Sequence, residues 1–295
     1  METVHFFTTP GVRLAADLYV PSGSPPTAGY PAIVVCLGWG SVKELMANWG
    51  EALAALGYMV IVPDYRGFGA SGGERGQCFP EEHVDDIGVA LTYLAQLPET
   101  DADRLALLGV SYGGAIAVTT GGKDRRPRAV ISIVGYGSGE RHLRAVRTDA
   151  QWAEFRIRLE EDRLQRMLTG QSEDIDPDEI LLRDEEARSW RREMEARYPH
   201  MAFRTTLESA QKIVDFLPER SLPFLSPTGA LFIHAGDDVM VPVEESTAMW
   251  NRAAEPKKQV IIPGIGHHQV HTGETFQQVI GHVDSWLDEH LGPLR

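Results

Sequence analysis

Short unbroken apolar runs recur along this chain with helically spaced stretches between them, and that alternation restricts the fold more than any other feature. Ala32 to Leu37 reads Ala-Ile-Val-Val-Cys-Leu. It offers no polar residue to a solvent face, the pattern of a strand buried on both sides of a parallel sheet. Tyr58 to Val62, Arg104 to Leu108, Ala129 to Val134, Ala230 to His234 and Gln259 to Ile262 repeat the theme. Helices are expected between them at Val42 to Leu56, Pro80 to Leu97, Gly113 to Thr120, Val243 to Arg252 and Thr272 to Leu291. Ser41 and Glu44 have capping-box spacing at the start of the first, and Gly57 ends it. Parallel strands need a crossover connection, and helices in that role cover both faces of the sheet. The expected fold class is α/β, with a mostly parallel, doubly wound sheet. Val4 to Thr8 and Val12 to Val20 flank Pro10-Gly11, which predicts a hairpin at the start. No internal repeat occurs at solenoid periods.

The alternation is interrupted between Ala129–Val134 and Ala230–His234. From Glu140 to Pro199, 28 of 60 residues are charged, 16 of them acidic and 12 arginine, with no lysine. Apolar positions break up the charge, so a disordered acidic tail is a poor description. Trp152, Phe155 and Leu159 fall at helical spacing, as do Leu181, Glu185 and Arg188. We expect an all-helical cap, or lid, over residues 137–222, inserted into a core formed by 1–136 and 223–295. Paired charges along helix faces explain the arginines better than a bound anion does.

Composition narrows the partners. With 28 Lys and Arg against 42 Asp and Glu, the net charge of −14 argues against nucleic acid or an anionic membrane. No apolar run approaches 18 residues, and the first residues lack a secretory pattern, so a cytoplasmic location is expected. Cys36 and Cys78 are too few for a disulfide framework and stand in no CxxC motif. The expected partner is a small-molecule substrate, and the sequence leaves a homodimer open.

Chemistry enters at Gly109-Val110-Ser111-Tyr112-Gly113-Gly114, which follows a predicted strand and opens a Gly/Ala-rich helix. This Gly-x-Ser-x-Gly context is what a nucleophile elbow requires. A sharp turn lifts the hydroxyl above the sheet, and small neighbours let strand and helix approach. A serine needs a base and an orienting carboxylate, and on such a fold they follow in the order acid, then histidine. The loop after Ala230–His234 offers Asp237 and Asp238, and the loop after Gln259–Ile262 offers His267 and His268. Both loops lie beyond strand ends, where open α/β sheets bind ligands. His267, His268 and His271 lack the glutamate of a zinc-protease helix, so no metal is expected. Gly67 to Gly73 lacks the Lys-Ser/Thr ending of a phosphate loop, so no cofactor is expected either. Glu81, Glu82, Asp85 and Asp86 suit a helix N-terminus and need no further role.

These residues resemble the α/β-hydrolase superfamily across nearly the whole chain. Gly11 to Pro21 resembles the opening of the dienelactone-hydrolase, cocaine-esterase and X-prolyl-peptidase branch. Pro63-Asp64-Tyr65-Arg66-Gly67-Phe68-Gly69-Ala70-Ser71-Gly72 is similar to the loop that many members carry after their fourth strand. The resemblance assigns the acid to Asp238 through Asp-x-x-Val-Pro and the base to His267 through Gly-x-Gly-His. It implies an oxyanion hole formed by the backbone amides of Tyr112 and Trp39. Where relatives carry His-Gly, this chain has Leu37-Gly38. The implied function is a serine hydrolase that cleaves a carboxylic ester through an acyl-enzyme. The same residues would also serve an amide, a thioester or a carbon–carbon bond next to a ketone. A non-catalytic binder on this fold would ordinarily lack one of the three. Tyr136 and Gly137, just after a strand, are expected to contact substrate. Trp152, with Phe155, Met167 and Trp190, would line the site or simply fill the helical core.

Overall fold

The computed structural model describes residues 1–182 and 185–293, with the main chain alone at position 186. The chain opens with β1 (Glu2–Phe7), β2 (Arg13–Tyr19) and β3 (Tyr30–Cys36). It continues through α1 (Ala47–Ala55), β4 (Met59–Pro63), α2 (Pro80–Ala95), β5 (Thr100–Val110), α3 (Tyr112–Lys123) and β6 (Pro127–Ile133). A long excursion holds α4 (Gly139–Ala145), α5 (Asp149–Thr169), β7 (Asp174–Ile175), α6 (Pro177–Ile180), α7 (Glu185–Arg197), β8 (Thr205–Thr206) and α8 (Leu207–Asp215). The sheet resumes with β9 (Gly229–Ala235), α9 (Val243–Arg252), β10 (Lys257–Ile262) and α10 (Gly273–Leu291).

Eight strands form one sheet in the order β1-β2-β4-β3-β5-β6-β9-β10. The predicted hairpin pairs β1 with β2, β2 meets β4 antiparallel, and every other pair is parallel. Every residue of β3, β4 and β9 is buried, in keeping with their apolar sequences, His234 of β9 being the exception in polarity. Full burial of one Val, Leu or Ile contributes about 1.5–3 kcal/mol. Helices α2 and α3 pack together on one face, and on the other the Trp49 ring of α1 meets Phe276 of α10 at 4.9 Å. The strand register sets the height of the loops above the sheet. Cys36 lies opposite Gly109, Val110 opposite Ile133, Ile133 opposite Ile233, and Ile261 opposite His234. The loops after β3, β5, β6, β9 and β10 therefore leave from one edge at one level.

Three local expectations are corrected. The Ser41–Glu44 capping box does not form; a 3-10 turn at Lys43–Met46 precedes α1. Asp64, from the loop after β4, accepts a hydrogen bond from the Lys43 amide at 2.7 Å, and Glu44 instead reaches the Lys43 ammonium. Leu181 is not helical with Glu185 and Arg188, because α6 ends at Ile180 and Leu181 is extended. The excursion is dominated by helices but also contains the short antiparallel ladder of β7 and β8. Elsewhere its helices follow their signals. Thr148 and Gln151 cap α5 reciprocally, Gly170 ends it in the left-handed region, and Trp152, Phe155 and Leu159 share its buried face. Among the described residues, no helix is long and apolar enough to cross a membrane.

Candidate active site

Ser111 sits between β5 and α3 with φ 59° and ψ −124°. A non-glycine residue held there costs on the order of 1–3 kcal/mol, so its surroundings must enforce the turn. They do so by close approach. A Cβ on Gly109 would meet the Gly113 carbonyl, and one on Gly113 would meet the Cys36 carbonyl. The Ser111 amide donates to Ile133 O at 2.8 Å, and the Gly114 amide donates to Ser111 O at 2.9 Å.

The structure brings the three predicted polar residues together. The Ser111 hydroxyl lies 3.0 Å from His267 Nε2, and His267 Nδ1 lies 2.7 Å from Asp238 Oδ2. The other Asp238 oxygen accepts from the amides of Met240 and Val241 at 2.9 and 2.8 Å. Burial would raise the Asp238 carboxyl, but the bond and charge of His267, with the Val241 amide, hold it below its ordinary range. His234 lies 3.6 Å from the same carboxylate; it is bonded to Val241 O, and burial keeps its imidazole below its ordinary value. Asp237 and His268, the alternatives beside them in the sequence, are both exposed.

Trp39, in the loop after β3, and Tyr112, the first residue of α3, flank Ser111. Their side chains share an anchor that the sequence did not indicate. The Trp39 indole donates to Cys78 Sγ at 3.1 Å, and the Tyr112 hydroxyl lies 3.7 Å from the same sulfur. That hydroxyl also lies 2.8 Å from His83 Nδ1. Burial drives His83 down to about 3 and the Cys78 thiol up to about 12, so both remain neutral.

Ser111 opens onto two compartments. The larger holds about 460 Å³ and is walled by Trp39, Met46, Leu181, Trp190 and Met201, with His268 stacked on Trp190 at 5.4 Å. The smaller holds about 20 Å³ and includes Tyr136. The other residues expected at substrate are not brought there. The amide of Gly137 donates to Glu245 at 2.9 Å, beneath Met249 and Arg141. Trp152 packs on Phe155 and lines neither compartment, while Met167 is exposed. Position along the chain singles out both the glycine and the tryptophan, but it does not show where a loop or helix face turns. No sequence pattern marks Cys78 or His142, which stand in Gly76-Gln77-Cys78-Phe79 and in the charged stretch Glu140-Arg141-His142-Leu143-Arg144.

This sheet order, with a serine on a strained turn and loops of common level around it, defines the α/β-hydrolase fold, and the chain is a serine hydrolase. It belongs to the X-Pro dipeptidyl-peptidase (S15) family, whose pattern matches residues 10–269. It is similar to the thiohydrolase aneE of Aspergillus aculeatus, with 26% identity over 94% of this chain and 89% of the other. It is also similar to the polyketide transferase af380 of Aspergillus fumigatus, with 27% identity over 98% of each. Among solved structures, DcsB in complex with its substrate analogue matches with a TM-score of 0.83 and 22% identity. That match covers 98% of this chain and 99% of DcsB.

Proposed function

We propose that the chain hydrolyses carboxylic esters through an acyl-enzyme on Ser111. The observation that carries this is the unbroken hydrogen-bond path from the Ser111 hydroxyl through His267 to Asp238. His267 Nε2 accepts the serine proton as Oγ attacks the carbonyl carbon, then returns it to the departing alkoxide. Asp238 holds the imidazole by accepting from Nδ1–H and stabilises the imidazolium formed in between. The developing oxyanion takes hydrogen bonds from the Trp39 and Tyr112 amides, each such donor being worth on the order of 10²–10³ in rate. Water, deprotonated by His267, then attacks the acyl-enzyme and releases the acid. The reaction needs no cofactor.

We take residues 137–222 as a cap over this site. Its support is that Leu181, Trp190, Arg191 and Met201 wall the larger compartment, which lets the excursion shape the pocket and exclude water. A thioester is the second reading, favoured by the thiohydrolase name of the relative and by the apolar wall. Comparing kcat/KM on a short 4-nitrophenyl ester, its thioester, an anilide and a β-diketone separates these bonds. Ser111→Ala is expected to lower kcat by about ten-thousandfold or more, and a fluorophosphonate should label Ser111 in the folded protein. Activity on the diketone with none on any ester would overturn the ester reading, and an unlabelled Ser111 would favour a non-catalytic binder.

A further inference from the structure

Two buried polar atoms beside Ser111 have no hydrogen-bond partner among the described residues, the Tyr136 hydroxyl and His142 Nδ1. The two residues are only 2% and 4% exposed, and their rings stack at 4.8 Å. Both line the 20 Å³ compartment that Ser111 and Tyr112 also line. Tyr136 lies two residues after Val134, which shares with Ser111 a positive φ, here 44°, that is rare for a β-branched residue. Buried hydroxyl and imidazole groups are almost always hydrogen-bonded, so this pair at the reacting centre calls for a partner.

The walls select the partner's chemistry. Leu143, Ile180 and Ile213 are apolar and buried. Burial, with the neighbouring His267 charge adding, drives the His142 imidazole down to about 3, and burial holds the Tyr136 phenol well above its ordinary value. Both are therefore uncharged at neutral pH. A carboxylate or ammonium would be desolvated there against neutral partners, whereas a hydroxyl or ketone would fit. The space admits roughly one or two water-sized groups. The acyl part stays bonded to Ser111 through both steps, so it suits a narrow compartment with buried walls. The leaving group must depart before water attacks, which suits the wide one.

We propose that this compartment binds a short acyl group bearing a neutral oxygen, hydroxyl or keto, on the carbon next to the scissile carbonyl, held by Tyr136 and His142. The proposal rests on the serine-hydrolase reading and adds a substrate class to it.

Phenyl hydroxyacetate and phenyl propanoate differ only by a hydroxyl in place of a methyl and test it directly. With each kcat/KM divided by that ester's hydroxide-catalysed rate, the protein should prefer hydroxyacetate by about tenfold or more. Tyr136→Phe keeps the ring stack and should bring the ratio to within about twofold of one. A wild-type ratio near one, with propanoate cleaved and Ser111 labelled by fluorophosphonate, overturns the subsite and leaves the hydrolase standing. Equal losses on both esters in Tyr136→Phe also overturn it, because a structural or oxyanion role would act on both alike. No cleavage of either ester and no labelling takes down both readings. As a second measurement on the wild type, hydroxyacetamide should slow labelling at a concentration about tenfold lower than propanamide does. Equal potency of the two amides counts against the subsite.

Discussion

At the scale of single residues, the spacing of the two proposed oxyanion donors depends on a sulfur. Trp39 comes from the loop after β3 and Tyr112 from the start of α3, and Cys78 Sγ ties their side chains together. Cys78→Ala would remove the sulfur that ties the two side chains together and loosen both segments. We expect kcat to fall about tenfold or more with little change in KM, since the donors act on charge that develops in the transition state. Cys78→Ser, which retains an acceptor, should recover much of the loss, and an alanine variant with unchanged kcat would remove Cys78 from this role. Ser111 was legible because Gly-x-Ser-x-Gly is a local pattern with a local cause. Asp238 and His267 were legible only as members of adjacent pairs until the superfamily patterns chose between them. In the structure that choice corresponds to burial, Asp238 and His267 being buried and Asp237 and His268 exposed. Cys78 and His142 were illegible because a lone buried polar residue has no periodicity to read.

At the scale of elements, β5, the elbow and α3 form a junction with no room for an added Cβ at Gly109 or Gly113. Gly113→Ala would drive a methyl group into the Cys36 carbonyl, rigid backbone that has no room to yield. We expect a loss of about 3 kcal/mol or more, seen as a lower Tm or as failure to fold. Gly88, within α2, has nothing within 4 Å of where a Cβ would stand. Gly88→Ala should therefore stabilise by about 0.5–1 kcal/mol. Opposite shifts of Tm in the two variants check the assignment, and equal shifts would contradict it. Long elements were legible because burial repeats along them. The β7–β8 ladder was not, since two residues per strand carry no period. The Ser41–Glu44 box failed because Asp64, 21 positions beyond Lys43, supplied the bond to its amide.

Across the whole molecule, buried titratable groups set the response to acid. Burial holds His83, His142 and His271 down to about 3, whereas an unfolded histidine titrates near 6.5. Between those values the unfolded chain binds protons that the native state refuses, so stability falls as pH drops, by up to about 1.4 kcal/mol per unit for each histidine. Asp64 and Asp86 oppose this. Burial raises both to about 6, so between 6 and about 4 the native state takes up protons that the unfolded chain does not. Below about 4 that offset ends, and Asp238, held low in the native state, adds to the loss. Tm should therefore decline gently from pH 6 to 4 and steeply below 4. A Tm that rises on acidification would contradict this balance of buried groups.

The order of strands and helices, the serine on its turn and the loops that carry acid and base are written in local patterns, because hydrophobic period and turn chemistry act over neighbouring residues. Tertiary structure decided that Asp237 and His268 stay outside the hydrogen-bond path to Ser111, that Gly137 and Trp152 turn away from it, and that Tyr136 and His142 meet beside it. Those outcomes depend on contacts between segments far apart in the chain, and a linear sequence encodes such meetings only through the packing it folds into.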